Sequence, residues 1–157
     1  MDYEIIYKAD KFPLHISYFV GLLFIIGGIF IFIQVKNKVE GYKMGVAILV
    51  SLVGILLTVY QFSTYIYDYK NIWKPYQEDQ VLVIEGYPNS LILEESTNGI
   101  DTFYIDGEFF WIGSDSMPGL QKQACEGGPI TSNDQLLRIT YVTHENVNYI
   151  MIVEVKS

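Results

Sequence analysis

Two uncharged apolar runs, Ile16 to Ile33 and Met44 to Tyr60, constrain this chain more than any other feature. A bilayer core of about 30 Å is spanned by about 20 mainly apolar residues in an α-helix that rises ~1.5 Å per residue. The first run holds thirteen Leu, Ile, Val or Phe residues and the second holds ten. At about −0.3 to −0.6 kcal/mol each, they sum to about −4 to −8 and −3 to −6 kcal/mol for insertion. Neither run contains an Asp, Glu, Lys or Arg to offset that gain. Buried helices of soluble proteins seldom run this far without a polar face. After Ile33 comes Gln34, Val35 and Lys36, with no small-residue cleavage site of a secretory signal. The runs therefore predict a transmembrane helical hairpin over 15–63.

Small residues predict how the two helices meet. Ser17, Gly21 and Gly28 share one face of the first; Ala47, Ser51, Gly54 and Thr58 share one face of the second. In lipid no hydrophobic force drives helices together, so close backbone approach over small side chains holds them. A conducting pore is disfavoured, because no ionisable residue lies in either run to line one.

Charge is unevenly placed. Residues 1–64 carry five Lys against four carboxylates, a net of +1, and the rest carries five Lys or Arg against fourteen, a net of −9. An acidic domain repels nucleic acid and anionic lipid, which leaves the bilayer interior as one partner and a protein with a basic or apolar surface as another. The link between the runs carries Lys36, Lys38 and Lys43 close to the apolar edges, while both tails together offer Lys8, Lys11, Lys70 and Lys74. By the positive-inside rule the denser link faces the cytoplasm, and both termini face outward. The expected location is a membrane, multi-pass, with the β domain extracytoplasmic. A homo-oligomer through the hairpin is open.

Residues 1–14 read as an N-terminal tail, with Tyr3, Ile5, Ile6 and Tyr7 fitting either a short strand or an interfacial stretch. Tyr60, Phe62, Tyr65, Tyr67, Tyr69, Trp73 and Tyr76 follow the second run, and aromatic rings with a polar atom suit the headgroup level, so 64–79 reads as an interfacial stalk. From 80 to 157 the signals are β. Gln80 to Gly86 and Ser90 to Glu94 are β-rich and broken by Pro88, giving one bent strand or two short ones. Asp106 and Gly107 between Thr102–Ile105 and Phe109–Ile112 mark a hairpin. An irregular excursion follows, and then a closing hairpin from Leu136–Val142 and Tyr149–Val155. Three meandering strands, an excursion and a hairpin suit a small five-stranded OB-like barrel, which leaves few exposed edges. An open β-sandwich or SH3-like barrel also fits.

The strings Val83 to Gly86, Thr102 to Phe110 (TFYIDGEFF), Glu126 to Ile130 (EGGPI) and Leu137 to Tyr141 (LRITY), behind membrane helices, resemble a group of uncharacterised small bacterial membrane proteins. Their soluble parts carry a Gly-Gly-Pro loop before a last β-hairpin. The layout is also similar to NfeD-like proteins, whose membrane helices bear a small OB domain. The resemblance implies an inner-membrane protein and supplies no catalytic residue, cofactor or reaction.

The residues point the same way. Cys125 is the only cysteine, so no intramolecular disulfide can form, and a packing role is expected. Asp101, Asp106, Glu108 and Asp115 could invite calcium, but their spacing is not that of an EF-hand, and a solvated face is expected. His144 alone makes no zinc site. Gly127, Gly128 and Pro129 form the most distinctive local motif. No lysine follows them as a phosphate-binding loop requires, so glycine is expected to supply a tight turn. No metal or cofactor is expected, nor is an enzyme, since no nucleophile, base and orienting group occur together. The expected role is a membrane-anchored module that presents its acidic β domain for protein binding or to assist an envelope complex. An immunity or inhibitory protein that neutralises a membrane-acting toxin is the alternative.

Overall fold

The computed structural model describes residues 2–12, 19–35, 41–95, 99–113 and 118–156. The chain divides into two compact units: Leu14–Tyr67, and a second made of Met1–Pro13 together with Asp68–Ser157.

The first unit is helical. Helix α1 covers Val20–Val35 and α2 covers Gly41–Asp68. A single π-helical turn, Tyr69–Trp73, joins α2 to the short α3, Lys74–Gln77. Pro75 accounts for that turn, because it has no N–H for the Asn71 carbonyl and its ring crowds the same group. The ladder widens just ahead of it, with the Lys74 N–H donating to the Tyr69 carbonyl five residues back. The whole helical stretch Gly41–Gln77 has 37 residues and is long and apolar enough to cross a membrane. The described part of α1 has 16 residues, about 24 Å of helix, and falls short of a bilayer core.

The β unit corrects the expected fold. Two transmembrane helices followed by a five-stranded OB-like barrel are not what the chain forms. Among the described residues only one helix has the length of a span, and seven strands build two antiparallel sheets with no closed barrel. The four-stranded sheet runs β1 (Tyr3–Lys8), β7 (Val147–Lys156), β6 (Leu137–His144), β2 (Leu82–Gly86). The three-stranded sheet runs β3 (Asn89–Ile92), β4 (Asp101–Ile105), β5 (Glu108–Ile112).

Two local causes separate this from a barrel. Strand β7 has ten residues against eight in β6, and its free edge is covered by the N-terminal strand, with Tyr3 opposite Lys156 and Lys8 opposite Ile152. A long unpaired edge would otherwise be an aggregation template. Second, Pro88 cannot donate to a ladder, so the chain leaves one sheet at Gly86 and enters the other at Asn89. A Cβ at Gly86 would lie 2.8 Å from the Ile105 side chain, so only glycine lets the sheets approach at that switch.

Both tight turns follow their sequence signals. Asp106 and Gly107 take positive φ, 49° and 88°, as do Glu145 and Asn146, 49° and 64°, in the manner of two-residue hairpins. The main core lies between the sheets, where Phe103, Ile105, Phe110 and Ile112 meet Leu137, Ile139, Ile150 and Val153. Phe103 and Phe110 stack at 5.4 Å, and Phe110 meets Tyr141 edge-on at 5.1 Å. On the other side of the four-stranded sheet a second cluster joins Ile72 and Trp73 to Ala9, Val142 and Met151. The central strands β6 and β7 are therefore covered on both faces.

Candidate functional site

Four features could carry function: the small-residue helix contact, the Gly-Gly-Pro loop, the buried polar groups that brace the sheets, and the outer face of β3, β4 and β5.

Helices α1 and α2 meet over glycine. Gly21, Gly28, Ala47 and Gly54 are all buried. A Cβ at Gly54 would stand 2.7 Å from the Ile25 backbone N and 2.9 Å from the Gly21 carbonyl oxygen. One at Gly28 would meet the Ser51 hydroxyl and lie 2.9 Å from the Ala47 carbonyl oxygen, and one at Gly21 would meet Thr58. The structure thus brings together six of the seven small residues singled out in the sequence; Ser17 lies outside the described residues. The hydroxyls at this contact are satisfied within α2. Ser51 donates to the Ala47 carbonyl (3.0 Å) and Thr58 to that of Gly54 (2.8 Å). No hydroxyl is left to seek water, which an apolar surrounding demands. Away from the contact, Leu23, Phe30, Leu49 and Leu56 are each more than 60% exposed, an apolar outer surface that water would not favour.

Gly127, Gly128 and Pro129 close the 3₁₀ turn Ala124–Glu126. Gly127 has φ of 78°, and its N–H donates to the Ala124 carbonyl, while that of Gly128 donates to Gln123 at 2.7 Å. A Cβ at Gly128 would collide with the Lys122 carbonyl oxygen. The loop spends both glycine N–H groups on itself, so it cannot cradle an anion with them. Cys125, expected to pack inside, is exposed on this turn.

The carboxylates expected on one solvated face separate. Asp101 is 1% exposed and accepts the Glu94 N–H at 2.9 Å and the Ala124 N–H at 2.7 Å, which ties the excursion to β4. Asp106 and Glu108 are exposed, and Asp115 lies outside the described residues. Among the described residues no three His, Cys, Asp or Glu side chains converge as a metal site. Asn148 braces the two sheets. Its amide donates to the Phe109 carbonyl (3.0 Å) and to Glu108 (3.2 Å), and its oxygen accepts the Thr143 hydroxyl at 2.6 Å. On the four-stranded sheet, Arg138 reaches Glu85 at 3.6 Å, Glu154 at 3.9 Å and the Tyr3 ring at 3.7 Å, which links all four strands. Burial pushes the Tyr7 phenol up to about 12, so it stays a neutral donor throughout the physiological range.

The outer face of the smaller sheet was not singled out in the sequence. Strand alternation sends Phe103, Ile105, Phe110 and Ile112 inward, and Thr102, Tyr104, Phe109 and Trp111 outward. Tyr104 and Phe109 are direct cross-strand partners with rings 5.1 Å apart, yet they are 40% and 43% exposed; Ile92 on β3 is 58% exposed. Exposed Glu94, Glu95 and Asp106 follow the ends of β3 and β4, while Glu108 turns toward the other sheet and Asn148. The signal was present in TFYI and FFWI, which are apolar on both faces instead of alternating.

Fold and site together define a chain with an apolar helical unit and a two-sheet β unit that exposes an aromatic face rimmed by carboxylates. No family model, no curated protein and no solved structure matches it.

Proposed function

We propose that this protein is a membrane-anchored binding module that acts without catalysis: the helical unit sits in a bacterial plasma membrane, and the β unit docks a protein with an apolar centre and a basic rim. The observation that carries the reading is the exposed Tyr104–Phe109 pair with Ile92, an apolar patch bordered by acids on a unit that bears seven Lys or Arg against 17 Asp or Glu, a net of −10. Aromatic side chains anchor protein interfaces with little entropy loss, and complementary charge steers the encounter.

Residues 3–8 and 147–156 pair in one sheet, so in this reading both ends of the β unit lie on the same side of the membrane. The lysines of the link, Lys36, Lys38 and Lys43, favour a cytoplasmic link and an outward β unit. Cys125 is exposed and is the only cysteine, so it reports the side directly. A membrane-impermeant maleimide is expected to label it in intact spheroplasts; labelling only after lysis would place the β unit in the cytoplasm.

Docking is checked at the aromatic pair. A photoreactive residue at Tyr104 is expected to give one defined protein adduct in cells. Tyr104→Ala with Phe109→Ala is expected to weaken the purified adduct partner at least tenfold, in line with loss of about 1.4 kcal/mol or more. An unchanged affinity would remove this face from the interaction.

A further inference from the structure

The β unit also contains a cavity of ≈ 280 Å³ between the end of β1 and the excursion, open to solvent, whose lining includes Lys8, Lys11 and Lys122. Its walls come from distant parts of the sequence and are fixed to one stretch of β7. The Ala9 N–H donates to the Met151 carbonyl and the Leu120 N–H to the Ile150 carbonyl, each at 2.8 Å. The backbone on two sides of the cavity is thus tied to adjacent residues of β7.

Its charge runs against its surroundings. Of the seven cationic side chains in a unit of net charge −10, three line this one cavity. Lys74 pairs with Glu78 and Arg138 with Glu85 and Glu154, but Lys8, Lys11 and Lys122 have no ion pair among the described residues. Only one carboxylate, Asp10, shares the lining, so the local balance is three positive charges against one negative. All three lysines are exposed, so an anion can reach them without burying an unpaired charge.

We propose that this cavity binds a phosphate-bearing group. A phosphate monoester carries about −1.5 to −2 charges at neutral pH, which matches the surplus of +2. Lysine ammonium groups suit it as mobile point charges, and the Gln121 side chain, also in the lining, can add a neutral donor. The volume lies below that of common drug-sized pockets, about 300–1,000 Å³, so it takes a phosphate with a small attached group and not a whole nucleotide. The same chemistry is offered by a soluble phosphate compound and by an anionic lipid headgroup.

The experiment uses the full chain in uncharged detergent micelles, titrated with inorganic phosphate and followed by calorimetry. Saturable binding is expected, weakened at least tenfold in Lys8→Ala with Lys122→Ala and unchanged in Lys74→Ala, whose lysine is outside the cavity. Short-chain phosphatidic acid, whose headgroup is a phosphomonoester, added against short-chain phosphatidylcholine, separates the sources. Displacement of phosphate by the first alone assigns a headgroup, and displacement by neither assigns a soluble compound. No saturable phosphate binding, or equal binding by the double variant, would overturn the site.

Discussion

Trp73→Ala is expected to destabilise the β unit by about 3–5 kcal/mol, the cost of emptying a large aromatic site from a packed interior. Trp73 is 4% exposed, lies against the edge of Phe12 at 5.7 Å and tilts on Tyr76 at 5.4 Å, within the cluster that covers the four-stranded sheet. A tryptophan at the headgroup level would instead lose little folding stability on truncation. Chemical unfolding of the full chain in mild detergent, read by the fluorescence of Trp111, the second of the two tryptophans, measures the difference. Tyr60→Ala is the comparison. Tyr60 is 71% exposed, and its loss is expected to stay within about 0.5 kcal/mol. Equal, small effects at both positions would mean that the helix end does not cover the sheet.

The aromatic series after the second apolar run had two possible destinations, because Tyr and Trp suit both a membrane interface and a protein core. A discriminating signal was present. Tyr69, Ile72, Trp73 and Tyr76 recur at i, i+3, i+4 and i+7, one face of a helix. Ile72 and Trp73 on that face are buried, whereas Tyr60 and Phe62 are exposed. Composition alone cannot separate the two groups; periodicity can.

The two hairpins were legible because their determinants are local. Asp106-Gly107 and Glu145-Asn146 set positive φ within two residues, and the flanking strands follow. Strand β1 is not legible as part of the β unit, since YEIIYK does not alternate cleanly and its partner strand, with Tyr3 opposite Lys156 and Lys8 opposite Ile152, lies at the far end of the sequence. Without β1 the sheet lacks its fourth strand and β7 is an edge, and with β2 and β3 read as one bent strand the remaining five suggest closure into a barrel. The lysine cavity depends on the same long-range pairing. Lys8 and Lys122 share a lining only because Ala9 and Leu120 are both tied to β7. Sequence does not set the buried Asp101 apart from its exposed neighbours, because the two backbone N–H groups that converge on it come from Glu94 and from Ala124, 23 residues on.

Within the helical unit the largest expected effect follows from Gly54→Leu. The added side chain would begin 2.7 Å from the Ile25 amide nitrogen and 2.9 Å from the Gly21 carbonyl. Both obstacles are backbone, so no rotamer change relieves them, and the helices must separate. Separation forfeits the close packing that holds helices together in an apolar medium, at a cost of about 3 kcal/mol. Gly27 and Gly45 provide the control on each helix, because a Cβ at either would meet nothing within 4 Å. Gly27→Leu and Gly45→Leu are therefore expected to be tolerated although they add the same volume and apolarity. Titration of the full chain from mild detergent into SDS, followed by helical ellipticity, ranks the three. Gly54→Leu should lose its structure at clearly lower SDS than the wild type, with the other two close to it. If all three variants behaved alike, helix propensity or apolarity would govern the unit, and the glycine contact would have no part in holding α1 against α2.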